Sequence, residues 1–560
     1  MVSSRELDAY HFYRQEWDSY DQLKEQFEWD IPETFNMATY ACERWADDPG
    51  RVAVFYEDEQ GNTETYTFWQ LDRITNRLAH YLRERGVERG DRVGINLPQR
   101  PETVMAHVAV WKLGAVSLPL STLYGPDGLT YRLDDADAKA CIVDEENVDS
   151  LREAATDCDA LETVLTTGAA TPTEDEVDFW EAIEEQPAEF ETVATDAEEP
   201  ALILYTSGTT GDPKGVVHAH RILLGFLPAI VTTVGNNDIR ESDLFWSPTE
   251  WAWIGTLFLV VVPPLFYGRP ILGYNGGSFD PEKAFELIEQ YGVTNFFAPP
   301  TALRMMMQVD DPTDRYHTET VRTITSGGET LGTNIVDWTD DTFEGAALND
   351  WYGQTEADPI VVGSNALMEF KEGKIGQPAP GVEVALVDPH TGEQITEAGT
   401  IGEITVNVEA SEPVCFKEYW NKPEKTAKKV QDGWLYTEDL GVMDEDGYIA
   451  FHSRKDDVII CSGYRIGPEE VEESVMSHPA VQDAGVVGVS DDVRGEVPKA
   501  FVVLTDEAEA SDGLKEDIQT HVKDRLAKYE YPRELEFIKS LPQTATGKTK
   551  RNALPTDDDR

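Results

Sequence analysis

Cysteine is scarce in this sequence, with five residues among 560. They stand far apart, at Cys42, Cys141, Cys158, Cys415 and Cys461. Their number is odd and no two form a CxxC pair, so neither a zinc site built on cysteine pairs nor a disulfide framework is expected. This usage is typical of a reducing compartment, and we predict a cytoplasmic location.

Positive charge is also in the minority, since 46 Lys and Arg stand against 106 Asp and Glu, a formal net charge of −60 at pH 7. Such a chain repels polyanions, which excludes nucleic acids as partners and disfavours anionic lipid surfaces. The acid is spread along the whole chain, which argues against an acidic disordered tail. Self-repulsion of this size is relieved in molar salt, where the Debye length is ~3 Å. We therefore predict a halophilic protein from a salt-rich cytoplasm.

Long hydrophobic runs are missing as well. The longest, WAWIGTLFLVVVPPLF from Trp251 to Phe266, is shorter than the roughly 20 residues of a membrane-spanning helix. It predicts a buried helix, and no membrane span is expected. The first residues, MVSSRELDAYHFYRQEWDSY, are polar and charged, which predicts no secretory signal.

What the sequence does contain is an alternation of helical and strand patterns. FWQLDRITNRLAHYLRERG has the period of an amphipathic helix, whereas DRVGINL and VSLPL are short apolar runs typical of buried strands. This alternation predicts an α/β fold with parallel strands. From Gly381 the pattern becomes strand-rich (GVEVALVD, GEITVNV), which predicts a β-rich subdomain. A smaller α+β unit follows, and we place the domains at residues 1–453 and 454–560.

A glycine-rich stretch, YTSGTTGDPKGVVHAH from Tyr205 to His220, follows the strand pattern ALILYT. We predict a strand, a loop and an apolar helix, the layout of a phosphate-binding turn in which amides, hydroxyls and a lysine face the anion. Neither GxxxxGK[ST] nor GxGxxG is present here, so neither a P-loop nor a Rossmann fingerprint is indicated. His218 and His220 are expected to be structural residues at the start of the helix.

Further motifs follow this stretch in a fixed order. They are SGGE (Ser326–Glu329), WYGQTE (Trp351–Glu356), YTEDLG (Tyr436–Gly441), SRKDDVIICSGYRIGPEEVE (Ser453–Glu472) and LPQTATGKTKRNAL (Leu541–Leu554). In these motifs, from the glycine-rich loop to the C-terminus, the chain resembles the AMP-forming acyl-CoA synthetases of the adenylate-forming superfamily. SGYRIGP, RGEVPKAFVVL and YEYPRELEFI resemble the medium-chain enzymes most. The resemblance implies a large N-terminal domain of layered α/β subdomains and a small mobile C-terminal lid.

The resemblance also implies a two-step reaction that uses ATP, Mg²⁺ and coenzyme A. A carboxylate is first joined to AMP with release of pyrophosphate, because oxide is a poor leaving group and AMP a good one. The thiol of coenzyme A then displaces AMP. The expected partners are therefore small molecules (a short- or medium-chain carboxylic acid, ATP and coenzyme A), and the oligomeric state is left open.

Within the family motifs, individual residues take implied roles. Thr355 and Glu356 correspond to the hydroxyl and carboxylate that meet the α-phosphate and hold Mg²⁺, oxygen ligands that suit a hard cation. Asp439 corresponds to the aspartate that accepts both ribose hydroxyls, beside Glu438 where the family usually has glycine. The implied ATP-binding set is Thr206, Ser207, Gly208, Thr209, Thr210, Gly211, Lys214, Gly328, Glu329, Asp350, Trp351, Tyr352, Gly353, Gln354, Thr355, Asp439, Arg454, Arg465 and Lys548.

The C-terminal motifs imply a lid that serves both steps. Lys548 corresponds to the lysine that reaches the carboxylate and α-phosphate during adenylation, where a cation offsets the repulsion of two anions. Asp456 corresponds to the hinge about which the lid swings. The implied coenzyme A contacts are Ser462, Gly463, Tyr464, Arg494, Lys523, Tyr531, Pro532 and Arg533.

The preferred length of the acyl chain is predicted from the volume of the pocket that holds it. In acetate-specific relatives a tryptophan just before Gln-Thr-Glu closes the pocket, whereas this chain has Gly353, which predicts room for a longer acyl chain. Trp251 is expected to form another wall, beside Glu250 where relatives usually have glycine. An aryl-CoA (benzoate-type) ligase, an acetate or propionate ligase and an adenylation domain that feeds a carrier protein remain alternatives. A phosphoryl-transferring ATPase, which would release ADP, is the alternative outside the superfamily.

Overall fold

The structure is a computed structural model that describes residues 6–206, 213–329, 331–455, 457–461, 464–491, 495–505, 508–526, 530–543 and 549–554. Within these ranges the side chains of Ile460, Tyr464, Arg465, Asp524 and Asn552 are not described.

The strands of the described residues are numbered in chain order. They are β1 (Val52–Asp58), β2 (Thr63–Thr67), β3 (Arg92–Asn96), β4 (Val116–Pro119), β5 (Ala138–Val143), β6 (Thr163–Thr166), β7 (Glu176–Asp178), β8 (Pro200–Thr206), β9 (Lys214–Ala219), β10 (Phe245–Trp246), β11 (Ile271–Asn275), β12 (Asn295–Phe297), β13 (Thr323–Gly327), β14 (Ala347–Gln354), β15 (Ala357–Val362), β16 (Gln377–Pro378), β17 (Val384–Val387), β18 (Ile401–Asn407), β19 (Glu418–Tyr419), β20 (Val430–Gln431), β21 (Trp434–Met443), β22 (Ile449–Arg454), β23 (Ile459–Cys461), β24 (Tyr464–Ile466), β25 (Val481–Asp491), β26 (Gly495–Leu504) and β27 (Glu534–Phe537).

The α-helices are numbered in the same way. They are α1 (Tyr20–Gln26), α2 (Met37–Ala41), α3 (Phe68–Glu84), α4 (Pro101–Lys112), α5 (Pro126–Asp135), α6 (Val148–Ala155), α7 (Phe179–Glu184), α8 (Ile222–Ala229), α9 (Ile254–Thr256), α10 (Val262–Phe266), α11 (Pro281–Tyr291), α12 (Pro300–Met306), α13 (Pro312–Arg315), α14 (Thr333–Thr342), α15 (Pro423–Lys429), α16 (Pro468–Met476) and α17 (Asp512–Arg525). Short 3₁₀ turns lie at Asp8–Arg14, Glu43–Trp45, Glu412–Val414 and Arg551–Ala553.

Two large sheets with mostly parallel strands form the first part of the molecule. The nine-stranded sheet has the order β16-β15-β14-β13-β12-β10-β11-β1-β2, and the eight-stranded sheet has the order β19-β9-β8-β4-β3-β5-β6-β7. Antiparallel strands stand at both ends of the nine-stranded sheet and at the β19 end of the eight-stranded sheet. Helices α4 and α8 are buried along their whole lengths, as expected of helices that are apolar on most sides. The predicted α/β class with parallel strands is confirmed.

Two five-stranded sheets follow. Strands β17, β18, β21, β20 and β22 pair antiparallel, which confirms the strand-rich pattern after Gly381. Strands β24, β23, β26, β25 and β27 form a sheet that packs with α16 and α17 around its own hydrophobic core. The first of these sheets ends at Arg454 and the second begins at Ile459, so the change of sheet falls close to the predicted domain boundary.

The glycine-rich stretch differs from the prediction in one respect. The loop after β8 is followed by a strand, β9, which pairs antiparallel with β8 so that Thr206 lies opposite Lys214. The helix α8 begins only at Ile222. The reason is that GVVHA, with its β-branched valines, is buried between β8 and β19. The expected strand–loop–helix layout was therefore wrong, and His218 and His220 do not start a helix.

The long apolar run folds as predicted into buried helix. Residues Ile254–Phe266 continue from α9 through a π-helical turn at Leu257–Val261 into α10. In the part of the chain that the structure describes, no helix combines the length and the apolarity needed to cross a membrane.

Helix α8 is packed so closely against its neighbours that a substitution in it tests the packing of the core. A Cβ added at Gly225 would lie 2.5 Å from the carbonyl oxygen of Pro413, which is backbone and cannot rotate away. We expect Gly225→Ala to lower the free energy of unfolding by ~1–3 kcal/mol, the usual cost of overpacking a core. Thermal unfolding followed by circular dichroism should show a lower midpoint.

Gly513→Ala is the matched control. Gly513 is exposed in α17 and an added Cβ would meet nothing within 4 Å. Because alanine favours a helix over glycine by ~1 kcal/mol, this variant should be as stable as the parent or more so. Equal midpoints for the two variants would contradict the packing described for α8.

Candidate active site

A cavity of about 1110 Å³, here called the central cavity, lies among the large sheets, the β17–β22 sheet and the C-terminal unit. Its walls include Thr206 and Lys214 at the ends of β8 and β9, most of β14, and Asp439 on β21. The structure therefore brings together residues that are far apart in the sequence but were predicted to act on one ligand.

The glycine-rich loop opens at the wall of the central cavity. Thr206 and Lys214 flank the loop, lie opposite each other in the hairpin and line the cavity. The predicted phosphate contacts Ser207, Gly208, Thr209, Thr210 and Gly211 lie outside the described residues.

Glu356 lies in the same wall beside Lys214. The hydroxyl of Tyr419 donates a hydrogen bond to Oε1 of Glu356 at 2.5 Å, and Nζ of Lys214 lies 4.7 Å from the centre of the Tyr419 ring. Burial lowers the pKa of Lys214, and the nearby charge of Glu356 opposes that change. A lysine and a buried carboxylate thus share one wall, an arrangement that suits a phosphate chain together with a divalent cation.

The backbone of Thr355 is held in place by a hydrogen bond from a neutral histidine. Nε2 of His218 donates to the backbone oxygen of Thr355 at 2.7 Å, and burial lowers the pKa of His218 to about 3. The histidine is therefore uncharged at neutral pH and orients the turn that carries Thr355 and Glu356. The hydroxyl of Thr355 and the carboxylate of Glu356 are hard oxygen donors and could hold Mg²⁺.

Asp439 also lines the cavity and is held by side chains of β14. The hydroxyl of Tyr352 donates to Oδ2 of Asp439 at 2.7 Å, while Nε2 of Gln354 donates to the backbone oxygen of Thr437 at 3.0 Å. Arg454 stands opposite Asp439 in the β21–β22 register, with its Nε 4.0 Å from Oδ1. The pKa of Tyr352 is raised well above its usual value by burial and by Asp439.

Gly328, Glu329 and Asp350, which belong to the implied ATP-binding set, also line the cavity. Burial raises the pKa of Asp350 to about 8, so its carboxyl is mostly protonated at neutral pH. The carboxylate of Glu329 accepts hydrogen bonds from the hydroxyl of Thr301 at 2.9 Å and from Nη2 of Arg304 at 2.8 Å. Gly328 has φ = +89°, a left-handed conformation that favours glycine.

Lys429 is a cavity residue that the sequence interpretation missed. It is buried, lines the cavity and donates to the backbone oxygen of Thr437 at 3.2 Å. Its Nζ lies 3.4 Å from Oε2 of Glu438, the residue that replaces the family's glycine. Glu438 has φ = +67°, which explains why glycine suits this position and shows that the chain keeps the turn without it. The replacement of glycine by Glu438 could be recognised in the sequence. Nothing in the sequence distinguished Lys429 from the other lysines of α15.

Trp251 does not lie where it was predicted. Its ring packs against Gly273, where an added Cβ would lie 2.9 Å from it, and Trp251 does not line the central cavity. Trp253, two residues later, lines the cavity instead. Side chains of a loop do not alternate regularly, so the sequence could not decide which tryptophan faces the ligand.

The space beside Gly353 is filled. A Cβ added there would lie 1.9 Å from Oδ1 of Asp358, a buried side chain that also lines the cavity. The side chain of Trp351 packs on the face of β14 opposite Tyr352, against Gly327 and Gly255. Gly353 lines the cavity, and the carboxylate of Asp358 occupies the space next to it, so room for a longer acyl chain at this position stays a prediction.

Glu250 has a structural task. Its carboxylate accepts hydrogen bonds from Oγ of Ser121 at 2.6 Å and from the backbone N–H of Thr122 at 3.0 Å. It thereby ties the segment after β4, which contributes Ser121 and Tyr124 to the cavity, to the segment before α9.

The C-terminal segment reaches the cavity. Lys548 lies outside the described residues, but Thr549, Lys550 and Arg551 line the cavity. Nη2 of Arg551 lies 2.7 Å from Oε2 of Glu472 and its Nη1 lies 2.6 Å from Oε1 of Glu469, so the segment is tied to α16. Burial raises the pKa of Glu469 to about 7, with Arg551 opposing that change.

Asp456 also lies outside the described residues, but its neighbours are held by different parts of the molecule. Nζ of Lys455 lies 2.7 Å from Oε2 of Glu403 on β18, whereas Oδ2 of Asp457 accepts from Nη1 of Arg551 at 3.0 Å. Lys455 is therefore attached to the β17–β22 sheet and Asp457 to the C-terminal segment.

Some of the predicted coenzyme A contacts form one group on the C-terminal unit. Nζ of Lys523 lies 5.3 Å from the centre of the Tyr531 ring, and Nη1 of Arg533 donates to the Tyr531 hydroxyl at 3.0 Å. The backbone oxygen of Pro532 accepts from Nε2 of Gln519 at 2.9 Å. This group does not line the central cavity. Ser462, Gly463 and Arg494, and the side chains of Tyr464 and Arg465, lie outside the described residues.

Comparison with known proteins agrees with this geometry. Residues 42–420 match the AMP-binding enzyme family, and residues 470–548 match the C-terminal domain of AMP-binding enzymes. The chain is 33% identical to the mitochondrial acyl-coenzyme A synthetase ACSM4 of Rattus norvegicus over 94% of this chain and 90% of that protein. It is 34% identical to the acetyl-coenzyme A synthetase of Bacillus subtilis over 93% of this chain and 90% of that protein.

A solved structure is similar over almost the whole chain. The anthranilate CoA ligase AuaEII in complex with anthranoyl-AMP shares 28% identity and a TM-score of 0.86, covering 93% of this chain and 97% of that one. Its bound ligand is an acid joined to AMP, the intermediate that the sequence motifs imply. The chain therefore belongs to the AMP-binding enzyme family as an acyl-CoA synthetase, an acid–thiol ligase that uses ATP, Mg²⁺ and coenzyme A.

Proposed function

We propose that the central cavity holds ATP and a carboxylic acid for adenylation, and that the C-terminal unit then presents coenzyme A to the acyl-adenylate. The observation that carries this proposal is that Lys214, Thr355, Glu356, Asp439 and Arg454 all line one cavity. Lys214 with Thr355 and Glu356 suits a phosphate chain, and Asp439 with Arg454 suits a ribose.

In the first step, a carboxylate oxygen of the acid forms a bond to the α-phosphorus of ATP, and the bond from that phosphorus to the pyrophosphate oxygen breaks. Thr206 and Lys214 bind the phosphate chain, and the carboxylate of Asp439 accepts the ribose hydroxyls, which fixes the reacting phosphorus in place. Thr355 and Glu356 would hold Mg²⁺, which when bound offsets the charge of the phosphates. The other residues of the predicted ATP-binding set, apart from Trp351, are proposed to keep the roles that the motifs imply.

In the second step, the thiolate sulfur of coenzyme A attacks the acyl carbon, and the bond from that carbon to the AMP oxygen breaks. We propose that the lid, residues 454–560, turns about Asp456 between the two steps. The attachment of Lys455 to β18 and of Asp457 to Arg551 supports a hinge between them. Lys523, Tyr531 and Arg533, with Ser462, Gly463, Tyr464, Pro532 and Arg494, would then contact coenzyme A.

We expect the wild-type protein to release AMP and pyrophosphate only when a carboxylic acid is present, and Lys548→Ala to lose this first half-reaction by ~10²–10³-fold. That is the usual effect of removing one group that stabilises charge in the transition state. The same variant should still convert a supplied acyl-adenylate to the thioester, because Lys548 acts in adenylation. Pyrophosphate release and thioester formation are measured separately.

Lys539→Ala is the control, since Lys539 is exposed on the same unit. It should leave both half-reactions at the wild-type rate. Release of ADP in place of AMP would refute the proposed reaction, and equal loss of both half-reactions in Lys548→Ala would refute the role of that lysine.

Lys429 is proposed as a second cation for the phosphate chain, because it is buried in the cavity wall and its charge also acts on Lys214. We expect Lys429→Met to raise KM for ATP about tenfold, as loss of a charge-assisted hydrogen bond of ~1.5 kcal/mol would. The variant also leaves Glu438 without this lysine beside an anionic ligand.

Lys428→Met is the matched control, because Lys428 is the neighbour of Lys429 in α15 and is exposed. Its KM for ATP should equal that of the wild type. An unchanged KM in Lys429→Met, or the same increase in both variants, would remove Lys429 from the nucleotide site. Initial rates at varied ATP and saturating acid decide between these results.

We also propose that the protein works in a salt-rich cytoplasm. The net charge of −60 supports this proposal. Raising KCl from 0.1 M to 1 M shortens the Debye length from ~10 Å to ~3 Å and screens the self-repulsion. Over this range, activity should therefore rise severalfold. The thermal unfolding midpoint should rise by several degrees.

Sucrose of equal osmolality is the control, since it is excluded from the surface but screens no charge. It should restore less stability than KCl does. Full activity and an unchanged midpoint in dilute buffer would contradict the high-salt proposal while leaving the reaction untouched.

A further inference from the structure

Strand β14 presents two different side chains to two different regions of the cavity. Neighbouring residues of a strand point to opposite faces. The side chain of Tyr352 points toward Asp439, the proposed ribose site, with its hydroxyl 2.7 Å from Oδ2. The indole of Trp351 therefore points away from the ribose, into the region that remains for the acid.

The indole of Trp351 is accommodated by glycines. A Cβ added to Gly327 would lie 2.0 Å from Cδ1 of Trp351, and a Cβ added to Gly255 would lie 3.4 Å from Cζ2 of the same ring. The ring also lies 6.4 Å, edge to face, from that of Phe297. Gly255, Gly327 and Phe297 all line the central cavity, so the indole fills the apolar end of the space that the acid can use.

The indole has no evident role in a hydrogen-bond network. Trp351 is 7% exposed, and among the described residues its Nε1 has no hydrogen-bond partner. Leaving a buried donor without a partner costs free energy, usually ~1–3 kcal/mol. A side chain placed at that cost is explained by its shape in the pocket.

The other direction in which an acyl chain could extend is also closed. The space beside Gly353 is occupied by the buried carboxylate of Asp358. An alkyl chain that packed against this carboxylate would displace its polar surroundings, which is unfavourable. The indole and the carboxylate thus occupy space on two sides of the cavity that an acyl chain could otherwise use.

We infer that Trp351 is the residue that limits acyl-chain length in this enzyme, and that its substrates are short, compact acids of about two to four carbons. The inference rests on the proposed function and goes further by naming the residue and the size class. In acetate-specific relatives, the tryptophan that closes the pocket corresponds to the position of Gly353. In this chain we assign the same role to Trp351.

The test is a panel of acetate, butyrate, hexanoate and octanoate with the wild type and with Trp351→Phe, Trp351→Leu and Trp351→Gly. The wild type should give its highest kcat/KM with acetate or butyrate and at least a tenfold lower value with octanoate. Each methylene that a larger pocket accepts is worth ~4-fold, from about 0.8 kcal/mol per buried CH₂. The preferred length should therefore increase through the series, and Trp351→Gly should prefer hexanoate or octanoate.

Trp246→Phe is the control, because Trp246 is buried, stacks on Phe296 and does not line the cavity. It should keep the wild-type preference. Thermal shifts with acyl-sulfamoyl-adenosines of the same chain lengths give a second readout, which registers binding even in a variant that turns over slowly.

The two proposals fail in different ways. A wild type that prefers octanoate, or a Trp351 series with unchanged preference in both rate and thermal shift, overturns the inference but leaves the reaction in place. A wild type that releases no AMP with any acid overturns the proposed function itself.

Discussion

The period of two along strand β14 is the constraint on which the site depends. Because neighbouring side chains of a strand face opposite ways, one strand can hold Asp439 through Tyr352 and fill the far side of the cavity with Trp351. The turn that follows places Thr355 and Glu356 beside Lys214. A change of register by one residue would exchange the faces and bring the indole to the ribose site.

Electrostatics places a second demand on this site. The chain carries a formal net charge of −60 but has to bind ATP, a carboxylate and coenzyme A, all of which are anions. The described cavity wall contains more acidic than basic side chains, so Lys214, Lys429 and Arg454 are cations that the anions can contact within an acidic surrounding. Lys429 and Glu438 illustrate the local solution. Glu438 has a left-handed backbone conformation, and its carboxylate forms an ion pair with Lys429. The lysine therefore offsets the negative charge that Glu438 would otherwise present to an anionic ligand.

Much of the fold could be predicted from the sequence because local patterns report local structure. The helix from Phe68, the strand before the glycine-rich loop and the helix around Pro468 all follow their hydrophobic periods. The segment after the loop was mispredicted, since GVVHA reads equally well as the start of a buried helix or as a strand. Its pairing with the preceding strand β8 and with β19, which is far away in the chain, decided for the strand.

The sequence by itself determined the family and the order of the motifs, because each motif is read directly from consecutive residues. Only the tertiary structure decided which side chains share a wall. It moved Trp251 into the core, filled the space beside Gly353 with Asp358 and brought Lys429 to the cavity. The physical reason is that volume and proximity belong to residues that are distant in the chain, and no local pattern records which of them occupies a given space.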